Sequence, residues 1–159
     1  MKKILVVAAL SAAMLSMSAT ADPYLGAGVG AYKTDTNNTS YKLFGGLQAS
    51  PNFAVEAAYN DFRSYRGASA DSWSLAAIGI IPLDQGWSVF GKLGPSYNRT
   101  RNVGGSNRTD LLAGVGVGFN ASKDLTIRLE YEDFGTLTNT AGAINHKATA
   151  WGLNVKYSL

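Results

Sequence analysis

The sequence predicts an all-β fold: an eight-stranded antiparallel up-and-down transmembrane β-barrel. Three observations carry that expectation. Apolar residues recur at every second position in eight separate segments, a period that gives a strand one greasy and one wet face. The breaks between segments alternate between short turns and long polar connections. On the greasy faces, aromatic residues gather near segment ends and aliphatic residues fill the middle. A soluble sandwich or soluble barrel shares the first property, but its core has no reason to sort aromatics into two bands. A bilayer does, because rings settle at both headgroup levels.

Before the first segment, Lys2 and Lys3 precede an apolar run from Ile4 to Leu15, and Ala19-Thr20-Ala21 follows. A positive start, a short apolar stretch and a small-x-small site predict a secretory signal peptide over 1–21. The competing reading, a helical membrane anchor, needs ~20 apolar residues and the run is shorter. Cleavage leaves 22–159 as one barrel domain. Without Lys2 and Lys3, the balance of 14 basic and 11 acidic side chains falls to 12 against 11, which removes the case for nucleic-acid binding. The absence of cysteine excludes disulfides, thiol catalysis and thiolate metal sites.

The eight segments follow in order. Over 24–33, Leu25, Ala27, Val29 and Ala31 alternate with Gly26, Gly28 and Gly30. Over 41–49, Tyr41, Leu43 and Leu47 oppose Lys42, Phe44 and Gln48. Over 53–62, Phe53, Val55, Ala57 and Tyr59 oppose Glu56, Ala58 and Asn60. Trp73, Leu75, Ala77 and Ile81 mark the outer face of 72–81. In 87–97, Trp87, Val89, Leu93 and Tyr97 oppose Ser88, Lys92 and Ser96. In 109–119, Leu111 to Phe119 alternate with Gly114, Gly116 and Gly118. In 125–134, Leu125, Ile127, Leu129 and Tyr131 oppose Thr126, Arg128, Glu130 and Glu132. The last, 147–159, sets Trp151, Leu153, Val155 and Tyr157 against small or polar neighbours. Each is close to the ~9–11 residues of a tilted spanning strand. Turns at 50–52, 82–86 and 120–124 are short, whereas 34–40, 63–71, 98–108 and 135–146 are longer, the asymmetry of outer-membrane barrels. Pro95 cannot donate to a ladder and predicts a break or bulge near the outer end of the fifth strand.

Inner-face parity collects Lys42, Glu56, Lys92, Arg128, Glu130 and Lys156 in a bore that eight strands leave just wide enough to fill with side chains. Charges there must be paired, so the expectation is a structural ion-pair network that plugs the lumen; an ion-conducting gate is the alternative. The pairing partners stay open. The glycine alternations at 26–30 and 114–118 lie inside strands and open no helix, so they are no nucleotide loop; they make room in a crowded bore. Arg63, Arg66, Arg99, Arg101 and Arg108 fall in the long connections, where guanidinium groups suit phosphate; solvated loop charge is the plain alternative. One histidine and no cysteine leave no metal site, and no cofactor is implied.

Tyr24 to Gly30, Asn52 to Tyr59, Phe90 to Gly94 and the closing strand together resemble the OmpA-like transmembrane β-barrel family and its small surface-antigen relatives, over the whole of 22–159. The resemblance implies residence in the bacterial outer membrane, contact with its lipid and lipopolysaccharide, and recognition of 147–159 by the barrel-assembly machinery. The usual final Phe of that family is Leu159 here. It also implies a lumenal ion-pair cluster, which Glu56 and Lys92 match best by strand. With nothing after the barrel, cell-wall tethering is not carried over. Lipid A deacylase barrels place His-x-Ser on the outer wall, but this chain has His146-Lys147-Ala148; acyltransferase barrels use an early histidine that is absent here. Asp71-Ser72 suits a turn. The expectation is a monomeric, non-enzymatic surface barrel, with a small pore or a loop-mediated adhesin or receptor as the rivals.

Overall fold

Eight strands follow one another in chain order: β1 (Asp22–Lys33), β2 (Asn37–Ser50), β3 (Phe53–Phe62), β4 (Ser69–Pro82), β5 (Trp87–Arg101), β6 (Asn107–Asn120), β7 (Leu125–Thr138) and β8 (Asn145–Ser158). The computed structural model describes residues 21–33, 37–62, 69–101, 107–138 and 145–159. Each strand pairs antiparallel with the next, and β8 returns to β1, with Leu25 opposite Tyr157 and Val29 opposite Leu153. The sheet is a closed barrel. Closure pairs every strand with two neighbours through the middle of the barrel, the condition a sheet must meet inside hydrocarbon; toward the long connections the β6–β7 ladder ends at Ala113↔Asp133.

Burial is inverted relative to a water-soluble protein. Leu43 is 62% exposed and Leu129 45%, whereas Glu56 is 2% exposed and Lys92 4%. Alternation sends the apolar side chains outward and the charged ones inward. An uninterrupted apolar belt of this extent is not tolerated in water. Its rims carry cross-strand ring pairs: Trp87 on Phe119 at 4.9 Å near the short-turn end, and Tyr59 on Trp73 and Tyr131 on Trp151, both at 4.8 Å, toward the other end.

Three short turns close the lower end. In the turn before β7, Ser122 Oγ accepts from the backbone N–H of Leu125 at 3.1 Å, the local bonding that makes serine a turn residue. Before β5, a single 3-10 turn spans Asp84–Gly86, with Gln85 and Gly86 at φ 60° and 81°.

One expectation is corrected. The strands run further at the long-loop end than alternation implied. β5 reaches Arg101 and β6 starts at Asn107, so Arg99, Arg101 and Arg108 lie on strands rather than in a loop. Above the apolar belt, side-chain polarity no longer decides pairing; the ladder continues while both backbones can satisfy each other. The interruption expected at Pro95 is present, as a break without a bulge. The β4–β5 ladder skips from Ser74↔Ser96 to Ala77↔Leu93 in unchanged register, while β5–β6 is unbroken. Real irregularities occur elsewhere, one between Asp133 and Thr136. There Gly135 takes φ 81°, a conformation that favours glycine, and its N–H donates to Asp133 Oδ1 at 3.0 Å.

Candidate functional site

The bore is filled in three layers. Toward the short turns, Tyr24, Phe44, Ala54, Ala58, Ile78 and Phe90 form one apolar cluster. Toward the long connections, Phe62, Ala76, Leu112, Phe134 and Ala150 form another, with the Phe62 and Phe134 rings edge-on at 5.3 Å. Glycine makes the lower layer possible. A Cβ on Gly26 would strike the Phe44 ring and one on Gly116 the Phe90 ring, so each aromatic lies over the glycine opposite it on the adjacent strand.

Between the layers, three cations meet three carboxylates: Lys42, Lys92 and Arg128 with Glu56, Glu130 and Glu132. Lys42 Nζ is 2.7 Å from both Glu130 Oε2 and Glu132 Oε1. Lys92 Nζ is 3.0 Å from Glu56, 2.9 Å from Glu130 and 3.1 Å from Glu132. Arg128 Nη1 donates to Glu56 Oε2 at 2.8 Å. Its Nη2 lies 2.7 Å from Glu130 Oε1, an ion pair without hydrogen-bond alignment. The guanidinium also stacks over Phe90 at 4.5 Å and Phe44 at 5.2 Å, a contact aromatic faces favour. Tyr24 Oη donates to Glu56 at 3.2 Å. All six charged groups are buried. Their charges cancel, and balanced pairing is what a low-dielectric bore demands.

Of the six inward charges expected together, the structure gathers five. Lys156 is not in the cluster. It stands opposite Thr126 in the ladder, one inward position closer to the short turns than Arg128, and donates to Gln48 Oε1 at 3.0 Å. Strand stagger puts it below the level of the carboxylates. Glu132 joins the cluster as its third carboxylate, bonded to Lys42 and Lys92, and Tyr24 adds a donor. Both share the inner parity of their strands, which is the signal that marks them.

The arginines disperse. Arg99 is exposed on β5 opposite Asp71, and Arg101 lies two positions further along the same strand. Arg108 pairs with Asp110 at 2.8 Å on β6. Arg63 and Arg66 lie outside the described residues. Among the described residues, no group of His, Asp and Glu is arranged to hold a metal. His146 stands opposite Leu137 on β8.

A closed sheet, apolar outside and charged within, defines a membrane-spanning β-barrel. A model of the outer membrane protein beta-barrel domain matches residues 4–158. The chain belongs to that family. Comparison with curated proteins finds no match. Among solved structures, Neisserial surface protein A is similar at 16% identity over 88% of this chain and 97% of that one, with a TM-score of 0.63. The N-terminal barrel of Pseudomonas aeruginosa OprF gives 11% identity, 84% and 97% coverage, and a TM-score of 0.63. Ail, the attachment invasion locus protein of Yersinia pestis, solved with the heparin analogue sucrose octasulfate, gives 17% identity, 87% and 97% coverage, and a TM-score of 0.55. At these identities the likeness is one of fold.

Proposed function

We propose that this chain is a structural, surface-exposed barrel of the bacterial outer membrane, exported through its signal peptide, inserted by the assembly machinery through 147–159, and closed to ion flow. The observation that carries the reading is the neutral six-charge cluster, which crosses the bore between two apolar layers. An ion entering the bore would have to displace a carboxylate or an ammonium that already has two or more partners, and then pass a layer of rings. The short turns face the periplasm and the long connections face the exterior, where loops contribute to envelope integrity or surface contacts. The protein acts as a monomer without a cofactor and catalyses no reaction. Planar-bilayer recordings on refolded protein test this. Conductance small or absent is the expected result; a large, steady conductance would establish the pore reading instead.

A second reading has one observation in its favour. Arg99, Arg101 and Arg108 occupy the long-loop end of β5 and β6, on the side where lipopolysaccharide phosphates lie. Ail, a barrel of the same fold, was solved with a polysulfated ligand. Arginine at this level suits either phosphate or sulfate, and Arg63 and Arg66 belong to the neighbouring connection. Binding of whole cells to immobilised heparin, before and after Arg99→Ala with Arg101→Ala, separates an adhesive surface from a purely structural one.

A further inference from the structure

A cavity of about 320 Å³ opens at the short-turn end, beneath the lower apolar layer. Its described lining holds three cations, Lys123, Arg128 and Lys156, and no carboxylate. Arg128 is already matched by Glu56 and Glu130. Lys156 is not matched. Its half-buried ammonium has the Gln48 carbonyl oxygen at 3.0 Å and the Tyr24 ring at 4.8 Å, both neutral. Each cation of the central cluster, by contrast, has a carboxylate oxygen 2.7 to 2.9 Å away. Asp22, exposed at the rim on β1, makes no ion pair with Lys156 among the described residues.

We propose that this vestibule is a binding site for a small oxyanion, a phosphate or carboxylate compound, presented from the periplasmic side. Asp22 at the rim and Glu56 above it act on Lys156 from outside the cavity, but no carboxylate lines the cavity, so low-dielectric walls leave the potential inside it positive. The Lys156 ammonium supplies the charge-assisted hydrogen bond. The Gln48 amide N–H, in the same lining, supplies a neutral donor; the Ser88 and Thr126 hydroxyl protons are already given to the Gly118 carbonyl at 3.5 Å and to Asn120 Oδ1 at 3.0 Å. Lys123, exposed on the turn before β7, adds attraction at the entrance. The volume equals about ten waters, so the ligand is a free ion or a molecule of the order of a sugar phosphate, not a polymer. The site lies below the closed centre of the bore and needs no through-flow.

Isotope-labelled protein refolded in alkyl maltoside micelles, which carry no phosphate, is titrated at constant ionic strength with inorganic phosphate and separately with acetate. Saturable amide shifts at Gln48, Thr126 and Lys156 with either ion support the site, and the stronger arm identifies which oxyanion it takes. Lys156→Met should weaken binding about tenfold, the effect of one charge-assisted hydrogen bond, and Lys156→Arg should restore it. Should Lys156→Met fail to refold, Lys123→Glu, on an exposed turn, should still weaken binding about threefold through its reversed charge. Shifts that rise linearly without saturating, that saturate equally in the variants, or that fall at the long-loop end would overturn the proposal.

Discussion

Removing the charge of Glu56 tests the central cluster directly. Glu56→Gln keeps the side chain's size, so no cavity term enters, but it leaves three cations facing two carboxylates. Arg128 loses one of its two carboxylates and keeps Glu130; Lys92 loses one of three and keeps Glu130 and Glu132. An uncompensated buried charge typically costs ~3–5 kcal/mol, and Arg128→Met should cost a similar amount from the opposite sign. In the double variant the imbalance disappears. Lys42 and Lys92 then face Glu130 and Glu132 with all four contacts, 2.7 to 3.1 Å, intact. The double variant should therefore cost far less than the two singles together, with a coupling near the top of the ~0.5–3 kcal/mol range for residues in one network. The stacking of Arg128 on Phe90 and Phe44 is lost in both arms of the cycle and cancels. Coupling of Glu56 with Lys92 should be smaller, because Lys92 has two other carboxylates. Urea unfolding of protein refolded in lipid vesicles, followed by tryptophan fluorescence and by the heat-dependent gel mobility of folded barrels, measures all five variants. Additivity within ~0.5 kcal/mol, or a Lys92 coupling larger than that of Arg128, would refute the reasoning.

Leu129→Arg, on the lipid face in mid-strand, should cost ~2–4 kcal/mol, whereas Gln48→Glu should be near neutral because Lys156 already points its ammonium there; the opposite order in the same urea titration would reverse the face assignment. Gly116→Val forces a side chain into the Phe90 ring and the Leu129 carbonyl and should cost ~1–3 kcal/mol by overpacking, with Phe90→Leu in the same chain recovering only the ring's share; equal melting of single and double variants would show that the ring is not the obstacle. Cysteines at Asp84 and Ser122 should stay unlabelled by an impermeant maleimide on whole cells while one at Gly104 reacts, and labelling of both ends alike would contradict the orientation.

The outward row Leu25, Leu43, Leu129 and Leu153 and the inward row Lys42, Glu56, Lys92 and Arg128 were both legible in the chain, because a strand assigns faces strictly by parity. Strand number and antiparallel order followed from the turns. The ends of β5, β6 and β8 toward the long connections were not legible. Polar residues there pair through the backbone, and the backbone carries no side-chain signature.

Parity alone placed Glu132 on the inner wall beside the six charged residues expected to pair, and said nothing of their heights. The chain determined that the bore would be charged and that the charges would need partners. Only the closed sheet decided which ones meet. Strands in a barrel are staggered as well as tilted, so Lys42 comes level with Glu130 and Glu132, 88 and 90 residues away in sequence, while Lys156 drops below them to Gln48. Contact across a bore depends on that shared stagger, a property of all eight strands together and of no single segment.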